Sequence, residues 1–395
     1  MKKRIMCISL LFFTLAMSSA IAEEIHVGKE GFQFFSIQAA IDYAEIGDRI
    51  IVHEGKYDEP IDIYKQIELV GNEKPVIMHN KSDDCISIIS DNCRINGFII
   101  QQNINTSFSG LNIESNGNII ENMTIKENMG KGIYLHRSTN TVLRNNTLIN
   151  DSICIVGDKN AWTSYTIENN TINNLPIFYY KNKKHISITD TPIGQLILAN
   201  CSQFIIKNCT ITNADEGITL GFSSNNTLSF NTFQTDIKGL RLQYSNSNII
   251  ARNIFLENEY GLYITHSYNN EIVQNEFIQN TKYGCWICCN SNHNTFHRNN
   301  FSQNTEPAYD IFDNSWSKNG IGNQWSDYTG KDMDNDGIGD SPYEIPPEHA
   351  SSEDSYPILD YEKIGKKTKQ NSPGCNLVLL LSIMVLFFIT KRIRN

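Results

Sequence analysis

Apolar residues recur in this chain on a period of two, nested inside a longer period of about 22 residues. GITLGFSSNNTLSFNTF begins at Gly217, GLRLQYSNSNIIARNIF at Gly239 and GLYITHSYNNEIVQNEF at Gly261. GCWICCNSNHNTFHRNNF follows from Gly284 with one extra residue in its turn, and an earlier copy, GIYLHRSTNTVLRNNTL, starts at Gly132. Each copy opens with glycine and an apolar-x-apolar triplet, such as Ile218 and Leu220, or Leu262 and Ile264. A polar turn then ends in Asn226, Asn248, Asn270 or Asn294, followed by Leu228, Ile250, Ile272 or Phe296. Asn231, Asn253, Asn275 or Asn299 comes two residues before Phe233, Phe255, Phe277 or Phe301.

Period-two alternation in such short runs predicts strands, and no run inside a copy is long enough for a helix. Two or three short strands per copy cannot bury their apolar faces alone, so the copies must stack. Each copy becomes a rung, and each strand pairs in parallel with its equivalent in the next. The predicted fold is all-β: a right-handed parallel β-helix with rungs of about 22 residues. A leucine-rich repeat is the structural alternative, but its Leu-x-x-Leu-x-Leu spacing is missing. Asparagine at the repeated turn is expected to stack as a ladder and to supply the left-handed backbone of the corners.

These repeats resemble those of the parallel β-helix family that includes NosD, the periplasmic accessory protein of nitrous-oxide reductase maturation. They also resemble carbohydrate-binding and sugar-hydrolase β-helices. GNQWSDYTGKDMDNDGIGDSPY (322–343) is similar to the segment that closes many NosD-like proteins. The stretch 176–211 resembles an insert of archaeal surface members. The resemblance spans roughly residues 25 to 361 and implies a pectin-lyase-like solenoid. It also implies copper handling beside an ABC transporter and a metalloenzyme as one functional expectation.

The N-terminal part fits that architecture. Ser36 is a helix N-cap, Ile37, Ala40, Ile41 and Ala44 share one face, and Gly47 is a stop. This short helix is expected to plug the first rung, whose uncovered end would expose core and unpaired strand. Residues 1–22 read as a secretory signal peptide, with a basic start, an apolar run and Ala20-Ile21-Ala22. Residues 23–330 form the capped β-helix, 331–361 an aspartate-rich loop and C-terminal cap, and 362–375 a polar linker. Residues 376–395 are an apolar segment closed by Lys391, Arg392 and Arg394, read as a membrane or processing tail. It resembles the tripartite tails of archaeal surface proteins, with Cys375 after Pro-Gly where that family has Phe. An exported protein, held at the cell envelope, is expected.

A net charge of −10 argues against a nucleic-acid partner, which needs a basic face. Asn-x-Ser/Thr sites such as Asn122 and Asn300 suit a glycoprotein, although the repeat itself generates them.

Strand alternation assigns the candidate chemistry. If Ile218, Leu240, Leu262 and Cys285 point inward, Thr219, Arg241, Tyr263 and Trp286 point outward, about 4.8 Å apart from rung to rung. Tyr134 is the equivalent in the earlier copy. Arg241, Tyr263 and Trp286 are therefore expected to form an exposed wall for a glycan or a surface protein. Cys288 is expected to face outward and Cys289 to lie at the corner beside His266. These three form a candidate Cu or Zn site, against the alternatives of a disulfide or ordinary wall. Asp332, Asp334 and Asp336 occupy positions one, three and five of a calcium-like loop, with the Ile338 carbonyl at seven and Asp340 at nine. The acidic residue expected at twelve is replaced by Tyr343, with Glu344 one place later. No paired carboxylates stand on the wall, so no catalytic residue is assigned and a non-catalytic role is favoured. A polysaccharide lyase or glycoside hydrolase is the enzyme alternative. Asp215, Glu216, Asp236 and Glu259 precede the glycines and read as solvated turn acids.

Overall fold

The computed structural model describes residues 22–79, 83–102, 108–128, 131–346 and 352–364. The signal-like start and the apolar tail lie outside the described residues. Among the described residues no helix is long and apolar enough to cross a membrane.

The chain is a parallel β-solenoid built as two stacks. In the first, a seven-stranded sheet runs from Glu24–Val27 to Thr166–Glu168, and a five-stranded sheet from Ile61–Ile63 to Ile153–Val156. A third face runs from Lys56–Asp58 to Thr171–Ile172. The second stack has a front sheet from Leu175–Lys181 to Glu306–Asp310 and two six-stranded faces. Pairing within each face is parallel and in register, as in Leu240↔Leu262 and Leu262↔Cys285.

The inward positions are fully buried, including Ile218, Leu240, Leu262 and Cys285. Phe233, Phe255, Phe277 and Phe301 stack at 4.9, 4.8 and 4.7 Å between centroids. Trp325 closes that column 4.4 Å above Phe301. The glycine that opens each copy is required by close approach. A Cβ on Gly217 would sit 2.7 Å from the Gly239 carbonyl, and one on Gly284 would sit 2.6 Å from the Pro307 carbonyl.

Asparagine ladders run beside the core. Asn253 Oδ1 accepts from the Asn231 backbone N–H at 2.9 Å and from its Nδ2 at 3.0 Å. Asn253 Nδ2 donates to the Leu228 carbonyl and to Asn275 Oδ1. One carboxamide thus ties three rungs together in a site from which water is excluded. A second ladder passes through Asn226, Asn248, Asn270 and Asn294. A third runs from Asp236 through Asn258 and Asn280 to Asn304. The left-handed corners fall elsewhere than expected. They belong to the residue before the ladder asparagine, such as Asn225, Phe230, Ser247, Arg252, Asn269 and Gln274. The reversed backbone turns the chain so that the next side chain points inward, and the corner side chain itself faces outward.

The N-terminal helix spans Ile37–Tyr43, with the Ser36 side chain accepting from the Ala39 N–H. Glu59 receives the Ser36 hydroxyl at 2.6 Å and the Ile37 N–H at 2.8 Å, which fastens the helix to the rungs. Ile37, Ala40 and Ile41 are buried against the first rungs.

The two stacks are joined by a hairpin. Asn173 and Asn174 both have positive φ, the signature of a tight two-residue hairpin turn. The flanking strands pair antiparallel through Ile172↔Leu175. The five-stranded sheet therefore stops at Ile153–Val156 rather than continuing into the front sheet. Side chains from the second stack satisfy its open edge. Gln195 bonds both the N–H and the carbonyl of Ile153. Asp215 Oδ2 accepts from the N–H groups of Gly132 and Ser152. A second helix, Lys159–Ser164, seats Trp162 on Gly221, where a Cβ would meet the indole at 2.3 Å.

Asn253→Ala leaves the Asn231 backbone N–H and one Nδ2 hydrogen without their acceptor, while Nδ2 keeps its bond to the Ile206 carbonyl, and is expected to cost about 3 kcal/mol. Asn269→Gly, at an exposed left-handed corner, is expected to stay within about 0.5 kcal/mol of the parent. Denaturant unfolding of both variants checks this, and equal losses would count against the ladder.

Candidate functional site on the front sheet

The outward positions of the front sheet align as Thr219↔Arg241, Arg241↔Tyr263, Tyr263↔Trp286 and Trp286↔Tyr309. The column divides into a covered part and an open part. Ile197, Thr219 and Arg241 are buried, with Arg241 only 8% exposed. Arg241 is thus not part of an exposed wall. The end of the first stack lies over it, and its Nη1 donates to the Ile155 carbonyl at 3.4 Å and to Glu216 at 2.7 Å. Burial pushes the Glu216 carboxyl up, but the charges of Arg241 and Lys238 outweigh this and hold it below its ordinary range. Asp215, Glu216 and Asp236 are likewise buried at the junction, not solvated turn acids.

The open part carries five half-buried aromatic residues: Tyr260, Tyr263, Tyr283, Trp286 and Tyr309. Trp286 stacks flat on Tyr309 at 4.0 Å and 10°. Tyr283 meets the Trp286 ring edge-on at 4.6 Å and 70°. Tyr260 lies nearly parallel to Tyr283 at 5.9 Å. Lys238 and Lys282 reach over the Tyr263 and Tyr260 rings at 5.3 and 5.5 Å. The Trp286 Nε1–H is buried and has no hydrogen-bond partner. Alternation exposes only Tyr263, Trp286 and Tyr309. Tyr260 and Tyr283 join them from the start of their strands, just before the glycines. Tyr134 is not in this column. It lies on the five-stranded sheet between Asn112 and Cys154, under the Lys131 ammonium at 4.2 Å.

The cysteine-rich rung closes the site on one side. Cys288 pairs with Thr265, and the His266 N–H donates to the Cys289 carbonyl at 3.1 Å. Cys289 has φ 57, so strand alternation is broken there and its thiol turns to the same side as that of Cys288. The two Sγ atoms are 2.9 Å apart, and Cys288 Sγ lies 3.9 Å from the Tyr263 hydroxyl. The His266 ring stacks on Tyr244 at 4.5 Å, and its Nδ1 is buried without a partner. Burial pushes the His266 pKa down, which favours the neutral imidazole. Among the described residues, only Asp332, Asp334 and Asp336 form a group of three or more ligand atoms all within 4.8 Å of one another. His266, Cys288 and Cys289 are therefore neighbours on one corner, not a closed three-ligand set. His293 and His297 face Asp313 and Glu271 and take no part. All eight described cysteines are free, and no disulfide joins rungs among them.

The aspartate loop stands apart from the wall. Asp332 accepts from the N–H groups of Asp336 and Gly337. Asp340 accepts from the Met333 N–H, and Ile338 is bridged to Ile358. Three carboxylates so placed suit a hard cation. The Lys363 ammonium, 3.1 Å from Asp332, is the positive charge found there. Tyr343, in place of the last acidic ligand, stacks on Trp325 at 4.2 Å and serves packing instead.

Residues 159–330 match the family described as periplasmic copper-binding protein (NosD). No curated protein matches the chain. Among solved structures, the A-module of a mannuronan C-5 epimerase from Azotobacter vinelandii is similar at 15% identity and a TM-score of 0.32, covering 71% of this chain and 93% of that one. An alginate lyase from Paenibacillus sp. is similar at 12% and 0.33, covering 71% and 95%. A pectate lyase is similar at 11% and 0.31, covering 77% and 74%.

Proposed function

Because the chain is a NosD-like parallel β-helix, we propose that it acts outside the cytoplasm as a non-catalytic binding protein, with the open half of the front sheet as its binding face. The five-ring aromatic wall carries this reading. Flat rings take the C–H faces of sugar residues. The strands fix the rings, so little side-chain freedom is lost on binding. A glycan is the ligand these features fit best, and a surface protein presenting apolar side chains is the alternative. Glu216, the carboxylate that meets Arg241 in the column, is tied up by Arg241, Lys238 and Thr219.

Trp286→Ala is expected to lower affinity for a glycan selected on an array about tenfold, or roughly 1.4 kcal/mol. Trp286→Phe should keep most of it. The parent should release no reducing sugar or unsaturated product. Sustained release would establish the enzyme alternative, and undiminished affinity in Trp286→Ala would remove the wall from the account.

Copper handling is the second reading. Two thiols 2.9 Å apart, with a neutral imidazole one rung away, are soft donors suited to Cu(I). Titration of the reduced chain with Cu(I) under a competing chelator is expected to show one site that Cys288→Ala/Cys289→Ala abolishes. Equal uptake by the parent and the double variant would count against it.

A further inference from the structure

Cys288 and Cys289 differ from every other described cysteine. Cys85, Cys93, Cys154, Cys201, Cys209 and Cys285 are buried, and several rest against backbone carbonyls, as Cys93 does on Lys65 and Cys201 on Tyr180. Burial pushes the Cys85 thiol up to about 12, and those of Cys154 and Cys285 also rise. Such thiols are poor nucleophiles. Burial and the neighbouring Cys288 push the Cys289 thiol up as well, to about 11, so access and proximity set this pair apart: Cys289 is exposed and Cys288 half-buried, with Sγ atoms 2.9 Å apart.

The repeat itself creates this pairing. Each front strand ends in a residue followed by a left-handed corner: Gly221 and Phe222, Gln243 and Tyr244, Thr265 and His266, Cys288 and Cys289. The reversed backbone at the second residue brings both side chains to one side. In the last of these rungs both places hold cysteine.

We propose that Cys288 and Cys289 are a reversible redox site that closes to a vicinal disulfide by exchange with a small-molecule or protein disulfide. The exposed Cys289 thiolate attacks one sulfur of the incoming disulfide, whose S–S bond breaks and releases one thiol. Cys288 then attacks the Cys289 sulfur of the mixed disulfide and expels the second thiol. The incoming disulfide is reduced to two thiols, and the cysteine pair loses two electrons and two protons. The sulfurs need to approach by about 0.9 Å to reach the ~2.05 Å bond. Neighbouring Cα atoms stand only about 3.8 Å apart, below the range of about 4.4–6.8 Å that disulfides favour. The ring is therefore strained and readily reduced, which suits a switch and not a staple. Closure removes both soft donors from the corner and alters the rim of the aromatic wall, where Cys288 touches the Tyr263 hydroxyl.

The full chain, reduced and then incubated with oxidised glutathione under native conditions, is alkylated with iodoacetamide and mapped by mass spectrometry. The peptide holding residues 288 and 289 is expected to lose two hydrogens and take no alkyl group, and dithiothreitol should restore both sites. Cys288→Ser should instead carry glutathione on Cys289, showing that the first step survives when the resolving thiol is gone. Recovery of the parent peptide with two alkyl groups, two glutathiones, or a link between chains would overturn the proposal.

Discussion

The bond between one buried carboxamide and the rung beside it is the interaction on which this molecule depends. A parallel rung must turn several times within about 22 residues, and it turns through left-handed corners at ordinary residues such as Phe230, Arg252 and Gln274. Each such corner costs about 1–2 kcal/mol. The residue after the corner is aimed inward, where a polar side chain without partners would add a further cost. Asparagine resolves the conflict, because its one oxygen and two hydrogens meet the backbone and side chain of the neighbouring rungs, as at Asn253. The same spacing then stacks the phenylalanine column and sets the outward ladder.

A solenoid repeats its outer face as faithfully as its core, so a distinct site requires the repeat to be broken. Here the break is the Asn173–Asn174 turn and the offset it introduces. The edge strand Ile153–Val156 comes to lie against the front sheet, and Arg241 changes from a wall residue into a cap for its Ile155 carbonyl. Beyond the reach of that strand the wall opens, and the aromatic residues begin there. The offset thus determines where the candidate site starts, and the cysteine corner marks one of its sides.

Much of this was legible in the sequence. The period, the inward set from Ile218 to Cys285, and the Thr219–Arg241–Tyr263–Trp286 register follow from strand alternation and glycine spacing alone. The asparagine ladders were legible as positions, although their conformation was not, since the left-handed strain sits one residue earlier. The burial of Arg241 was not legible. Alternation says which side of a strand a residue faces, but not what covers that side. Asn173-Asn174 before Leu175-Pro176, where the repeat falters, was the available signal. The Lys363 ammonium beside Asp332 comes from a segment some thirty residues away, which no local spacing rule reaches. The convergence of Cys288 and Cys289 likewise required the corner φ of Cys289.

The front sheet is covered at the junction and open beyond it, and the four tryptophans report on both parts. Trp162 is sealed at the junction, Trp316 and Trp325 close the far end of the core, and Trp286 stands on the wall. Limited tryptophan oxidation of the native chain, mapped by mass spectrometry, is the most direct measurement. Trp286 should be modified first, with Trp162, Trp316 and Trp325 protected until the chain unfolds. Oxidation of Trp162 as fast as Trp286, or protection of Trp286 alongside the others, would contradict the account.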